Sequence, residues 1–274
     1  MFKNMIICFV FFITCSCFAN QINRIVSLGP TVTTQLYILG AGDKVVGNTT
    51  YSKKLKGMDN VAKIGSVTDA NVEKIASLKP DIVFATDLSN PVQLELLKKL
   101  GIKIYIMHNP HTYLAMCREF IKMGEIIGEK NRAEKIVERS NKKVEALRAE
   151  SSKYPKQKVF VEIGANPLFT ITKDSYINDF IKFAGGINVA ADASSGIYSR
   201  ENVVEKAPDA IIIISMGIVG NQEKQIWEKF STIPAVKNNM IFIMSSDKLC
   251  SSNPVSFPET LREIIDIIHR VKVK

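Results

Sequence analysis

The chain has 274 residues with five cysteines, three histidines, one tryptophan and a formal net charge of +9, and apolar residues make up 46% of it. That length suits one large domain or two of roughly 150 residues, and an apolar share without a long apolar run after the N-terminus excludes a disordered chain or a membrane bundle. Two cysteines outside the first twenty residues exclude a disulfide scaffold, and lysines that alternate with Glu134, Glu138, Glu145 and Glu150 form a solvated helical face rather than a nucleic-acid surface.

Residues 1–19 carry Lys3, an apolar stretch at 5–13 and the small-bulky-small run Cys17-Phe18-Ala19. This is the pattern of a cleaved secretory signal, with Asn20 as the mature start. A retained anchor is disfavoured because spanning takes about 18 apolar residues. Lipid attachment through Cys15 or Cys17 stays open, although neither has a convincing lipobox. Cys117 and Cys250 then remain, read as small apolar side chains; a bridge between them would tie opposite halves of the chain.

Residues 24–28 form a short β-rich run ended by Gly29-Pro30, and residues 31–39 carry apolar groups at helical spacing before Gly40-Ala-Gly42. Further strands are expected at 45–47, 82–85 and 103–107, with a helix over 91–100. Strands alternating with helices imply a parallel sheet covered on both faces. From about 113 to 154 the chain turns helical, and residues 131–154 contain neither glycine nor proline, with an apolar stripe at Ile136, Val137, Val144 and Leu147. That stretch is too long for a crossover and reads as a rigid joining helix. The α/β pattern resumes at 158–163 and continues through strands at 211–214 and 241–244 to a terminal helix over 259–271.

One phrase occurs twice. Glu73-Lys-Ile-Ala-Ser-Leu-Lys-Pro-Asp81 precedes one apolar strand, and Glu201-Asn-Val-Val-Glu-Lys-Ala-Pro-Asp209 precedes another. Each reads as a short helix stopped by proline, then a buried strand. Two copies half a chain apart predict two similar lobes, and a cleft between similar lobes is a natural ligand site. The expected division is a signal at 1–19, an N-terminal α/β lobe at 20–128, an inter-lobe helix at 129–155 and a C-terminal α/β lobe at 156–274.

In this order, Arg24-Ile-Val-Ser-Leu, Leu39-Gly-Ala-Gly-Asp-Lys-Val-Val-Gly47, the first copy of the repeat, Gly164-Ala-Asn-Pro-Leu-Phe-Thr170 and Ile177-Asn-Asp-Phe-Ile-Lys-Phe-Ala-Gly-Gly-Ile-Asn-Val189 resemble the iron-complex and vitamin B12 (cobalamin) solute-binding proteins of bacterial ABC importers. The resemblance implies the class III periplasmic-binding-protein fold, with two mainly parallel α/β lobes joined by one long helix. It implies a periplasmic, monomeric protein that captures a small-molecule metal chelate, a cobalamin or ferric siderophore, and hands it to an ABC permease with its ATPase. No intrinsic cofactor and no nucleic-acid partner are expected. By the same resemblance, Glu73 and Glu201 dock into arginine pockets of the permease, Tyr51 is a cleft aromatic, Leu168 or Phe169 forms an apolar wall, and Asp247 is a cleft acid. Tyr198 lies close to a cleft segment. Where cobalamin binders place large aromatics this chain has Val67, Ser195 and Lys248. With Lys53, Lys54, Lys173 and Arg200, such residues suit an anionic ferric siderophore.

His108 and His111 flank Asn109-Pro110 after an expected strand and are candidates for an axial ligand to the metal of a bound chelate. Three histidines do not make the ligand cluster that bare zinc or manganese needs. Haem or a molybdate-type oxyanion stays open as cargo of the same fold. The rival from another class is an exported hydrolytic enzyme, but there is no nucleophile elbow, HExxH or Walker loop, and Gly40-Ala-Gly42 precedes a strand rather than following one.

Overall fold

The computed structural model describes residues 21–215 and 219–270. The expected leader at 1–19, with Cys8, Cys15 and Cys17, lies outside the described residues, as does Val271. The elements run β1 (Ile25–Ser27), α1 (Pro30–Ile38), β2 (Val45–Asn48), β3 (Ala62–Lys63), α2 (Val72–Ser77), β4 (Ile82–Thr86), α3 (Pro91–Lys99), β5 (Ile104–Met107), α4 (Tyr113–Ile127) and α5 (Lys130–Ser151). There follow β6 (Gln157–Gly164), β7 (Phe169–Thr170), α6 (Tyr176–Phe183), β8 (Gly186–Asn188), α7 (Arg200–Lys206), β9 (Ala210–Ser215), α8 (Val219–Glu228), α9 (Pro234–Lys237), β10 (Ile241–Ser245), α10 (Ser246–Leu249) and α11 (Phe257–His269).

The first sheet has the order β3-β2-β1-β4-β5 and is parallel throughout. β1 and β4 bury residues on both faces, which is why they read as continuous apolar runs rather than alternating ones. α1 and α4 cover one face with Leu36 and Phe120, while α2 and α3 cover the other with Ile75, Leu94 and Leu97. The chain builds outward from β1 through β2 and β3, then returns to add β4 and β5. The order therefore switches between β1 and β4, and ligands of such sheets sit outside the carboxyl ends of the strands at that switch.

The second sheet has the order β10-β9-β6-β7, with β8 also paired to β6. Its pairings are parallel except β6 with β7, a short antiparallel return at the carboxyl end of β6. Both copies of the repeated phrase make the same local structure. Lys79 and Ala207, each just before the proline, adopt positive φ of 46° and 47°. Asp81 then accepts the backbone N–H groups of Asn23 and Arg24 at 2.7 and 2.9 Å, and Asp209 accepts that of Lys158 at 2.8 Å. Each aspartate thus pins its strand to the start of the lobe's central strand.

α5 is a single 22-residue helix. Near its start the Arg132 side chain donates to the Ile38 carbonyl at 3.2 Å, and at its end the Ser151 hydroxyl donates to the Phe183 carbonyl at 2.6 Å. Glu150 pairs with Arg262 of α11, which lowers the Glu150 carboxyl below its ordinary value. Tyr113, at the head of α4, is buried against Phe257 and Phe183, and its hydroxyl meets Ser140 and Asn141 of α5 at 2.8 Å. One continuous apolar core runs from α1 through α4 and α5 into the second lobe.

Candidate functional site

A cavity of about 400 Å³ opens where the carboxyl ends of β1, β4 and β5 face the second lobe. The first lobe supplies Gly29, Pro30, Gln35, Val67, Thr86, Asp87, Leu88, Met107 and His108, and the second supplies Tyr176, Cys250 and Ser252. Gly29 is needed for space: a Cβ there would lie 2.9 Å from Thr86 Cγ2. α1 starts at this point without a side-chain cap, so its first-turn N–H groups are available to a carbonyl or anionic group. Gln35, 8% exposed, lines the cavity with its Oε1 unpaired among the described residues, and so does Thr86 Oγ1. Buried polar atoms are normally paired, so these two are orphans just beneath the cavity wall.

The sheet register builds a second polar group. Thr86 and Met107 are direct partners on β4 and β5, so the residues that follow them, Asp87 and His108, emerge side by side. Asp87 Oδ1 lies 2.8 Å from His108 Nδ1, and Asp87 Oδ2 accepts the Asn109 N–H at 2.7 Å. Burial would raise the Asp87 carboxyl, but the Asn109 amide and the His108 ring outweigh it and leave it below its ordinary value. Asp87 is therefore an ionised acceptor and His108 Nδ1 carries the proton.

A buried hydroxyl chain holds the loop after β2. Thr33 Oγ1 meets Ser27 Oγ at 2.9 Å and Ser52 Oγ at 3.2 Å, and Ser52 meets Thr49 Oγ1 at 3.0 Å. That loop presents Tyr51, 76% exposed, and Lys53, which bridges to Asp247 of the second lobe at 2.8 Å. In the second lobe, β7 presents Phe169, which pairs with the exposed Ile197 through an isolated bridge.

The profile of the family described as Periplasmic binding protein matches residues 25–248, most of both lobes. The chain belongs to that family. It is 30% identical over 239 residues to the uncharacterized ABC transporter substrate-binding lipoprotein YvrC of Bacillus subtilis, covering 84% of this chain and 75% of that one. It is 29% identical over 247 residues to the vitamin B12-binding protein of Vibrio vulnificus, covering 86% of each. Among solved structures, a possible iron-binding (periplasmic solute-binding) protein from Staphylococcus epidermidis superposes with a TM-score of 0.79 at 26% identity, over 91% of this chain and 99% of that one.

In this periplasmic binding protein, Glu73 and Glu201 occupy matching exposed positions. Glu73 and Glu201 are each the second residue of their helix, behind the N-caps Asn71 and Ser199. Of the other expected positions, His108 lines the cavity, whereas Tyr51, Leu168, Phe169, Tyr198, Asp247, Lys248 and His111 lie outside its lining. Leu168 is 6% exposed and packs into the core, because the turn between β6 and β7 points Phe169 outward instead. Tyr198 is half-buried with its ring on Phe160 at 5.9 Å, so it supports the wall from behind. Lys248 turns away to Glu263 of α11 at 2.6 Å. His111 Nδ1 lies 2.8 Å from the Asp174 carbonyl, which ties the lobes together and leaves His111 outside the cavity lining.

The basic residues expected to receive an anionic chelate already have carboxylate partners: Lys53 with Asp247, Lys54 with Asp59, Lys173 with Asp192 and Arg200 with Glu223. The lysine pairs are exposed and easily exchanged. The Arg200 pair is held inside the lobe, where the guanidinium also lies 5.2 Å from the Trp227 ring. Trp227 Nε1 donates to Glu162, and burial, with Glu223 beside it, raises the Glu162 carboxyl to about 7. Cys117 and Cys250 are free thiols; Cys117 is buried, whereas Cys250, expected to be buried, is exposed.

Sequence reading placed His108 but not its partners. Gln35 had a visible signal, a polar side chain on the buried face of α1. Thr86 and Asp87 had a weaker one, polar residues directly after an apolar parallel strand.

Proposed function

We propose that this protein is the extracytoplasmic capture component of an ABC importer, that its cargo is a small-molecule metal chelate, and that it catalyses no reaction. The observation that carries the reading is the cavity at the strand switch point, lined from both lobes. Two relatives support it: one is an ABC transporter substrate-binding lipoprotein and one a vitamin B12-binding protein. Residues 20–128 and 156–274 act as the gripping lobes and 129–155 as the joining segment, with residues 1–19 directing export and a lipid anchor as the alternative at Cys15 or Cys17.

In this reading the cargo enters between Tyr51 and Phe169, and the lobes tilt slightly rather than swing, because α5 and the Tyr113 cluster pack against both. Glu73 and Glu201 then engage arginines of the permease, whose ATPase drives release, and the capture protein works as a monomer. Charge-assisted carboxylate–guanidinium pairs are directional enough to set that orientation. None of the described helices is long and apolar enough to cross a membrane. The test is absorbance and tryptophan-fluorescence titration of the mature protein with cobalamin, haem, ferric siderophores and molybdate. Saturation by a metal chelate at sub-micromolar concentration is expected; saturation by molybdate alone, or by none, overturns the cargo class.

A further inference from the structure

We propose that His108, oriented by Asp87, supplies an axial nitrogen to the metal of a macrocyclic chelate, so that this protein selects cargo with an exchangeable axial position over chelates whose metal is fully enclosed. The inference rests on the metal-chelate function above and narrows its cargo.

The argument starts from the sheet. Pairing of Thr86 with Met107 fixes the spacing of the two residues that follow, so the Asp87–His108 pair is set by backbone register rather than by a flexible loop. Asp87 uses one oxygen on the Asn109 N–H, which holds the turn, and the other on His108 Nδ1. The turn would be held without the imidazole, and the ring is not there for packing, since the His108 side chain is 70% exposed. With the proton on Nδ1, the Nε2 lone pair is the free donor, and no described residue bonds it. A carboxylate behind an imidazole fixes its tautomer and raises its basicity toward a metal.

A single imidazole is a poor site for a bare ion, and among the described residues no group of three metal-binding side chains occurs. It is a sufficient site for a metal whose equatorial positions a macrocycle already fills. A corrinoid and a haem share this chemistry, so the probes separate them.

The experiment titrates the mature protein with ferric haem, aquacobinamide and a hexadentate ferric hydroxamate, recording absorption spectra and affinity. The wild type is expected to bind one of the macrocycles with the band shift of a nitrogen axial ligand. His108→Ala is expected to lose that shift and at least tenfold in affinity, with free imidazole restoring the band. Asp87→Asn should keep coordination but weaken it by about tenfold, and His111→Ala should leave the spectrum unchanged. Circular dichroism checks that each variant is folded. Identical spectra and affinity for wild type and His108→Ala overturn the axial role. Binding of the hydroxamate alone also overturns it while leaving chelate capture standing; binding of none removes the chelate function as well.

Discussion

Glu73 and Glu201 stand at the same position of two equivalent helices, one in each lobe, each two residues beyond a side chain that caps the helix: Asn71 Oδ1 accepts the Lys74 N–H at 2.8 Å and Ser199 Oγ accepts the Asn202 N–H at 3.1 Å. Two exposed carboxylates at matched corners suit the docking role proposed for them. Glu73→Ala combined with Glu201→Ala should abolish uptake in cells while ligand affinity stays within about twofold. Each loss removes only a helix-dipole interaction of about 0.3–1 kcal/mol from stability. Normal uptake by the double variant would remove the docking role.

Tyr51 in the first lobe and Phe169 in the second are exposed, and the proposed cargo path runs between them. An aromatic buried on binding contributes about 1.5–3 kcal/mol through apolar area. Tyr51→Ala and Phe169→Ala should each weaken binding by about tenfold or more, measured by titration calorimetry, with thermal stability unchanged. Leu168→Ala should do the reverse, lowering stability by about 2–5 kcal/mol through a core cavity.

The Lys53–Asp247 bridge joins the lobes but is well exposed. Exposed pairs contribute about 0–1 kcal/mol. Lys53→Ala should therefore change affinity by less than about fivefold and chiefly speed ligand entry and exit, an effect that salt in stopped-flow measurements reproduces in the wild type. A hundredfold change would mean that the bridge closes the site.

Glu162 is buried with its carboxyl raised to about 7 against an ordinary 4.5, by burial first and then by Glu223, with Trp227 Nε1 and Arg200 opposing. The folded protein holds that proton more tightly than the unfolded chain does. The group's contribution is fully present below about pH 4.5 and is lost as pH rises through about 7. Glu162→Gln, which stays neutral, should flatten that part of the stability curve by an amount on the order of 2 kcal/mol. Parallel curves for variant and wild type between pH 4.5 and 8 would show that Glu162 is already ionised when folded.

The Tyr113 hydroxyl is buried between Ser140 and Asn141. Tyr113→Phe leaves those groups short of a partner and should cost about 1–3 kcal/mol, read from urea unfolding. Cargo affinity should move little, since Tyr113 is not among the cavity's lining residues.

Local pattern alone was enough for the architecture of this protein. Strand and helix periods, glycine and proline stops and the twice-used Pro-Asp phrase made the two α/β lobes and the long helix legible, because hydrophobic period and turn chemistry act over a few residues. The same holds for Glu73 and Glu201, whose equivalence is a repeat in the chain. The site itself was decided by tertiary structure. That Asp87 stands behind His108 follows from the register of β4 on β5, across 21 residues of chain. That Phe169 faces out while Leu168 faces in follows from a two-residue return strand, where a shift of one position reverses every side chain. The expected basic cleft is already matched with acids because Asp247, Asp192 and Glu223 come from elsewhere in the fold, and charge pairing depends on distance in space, which composition does not record.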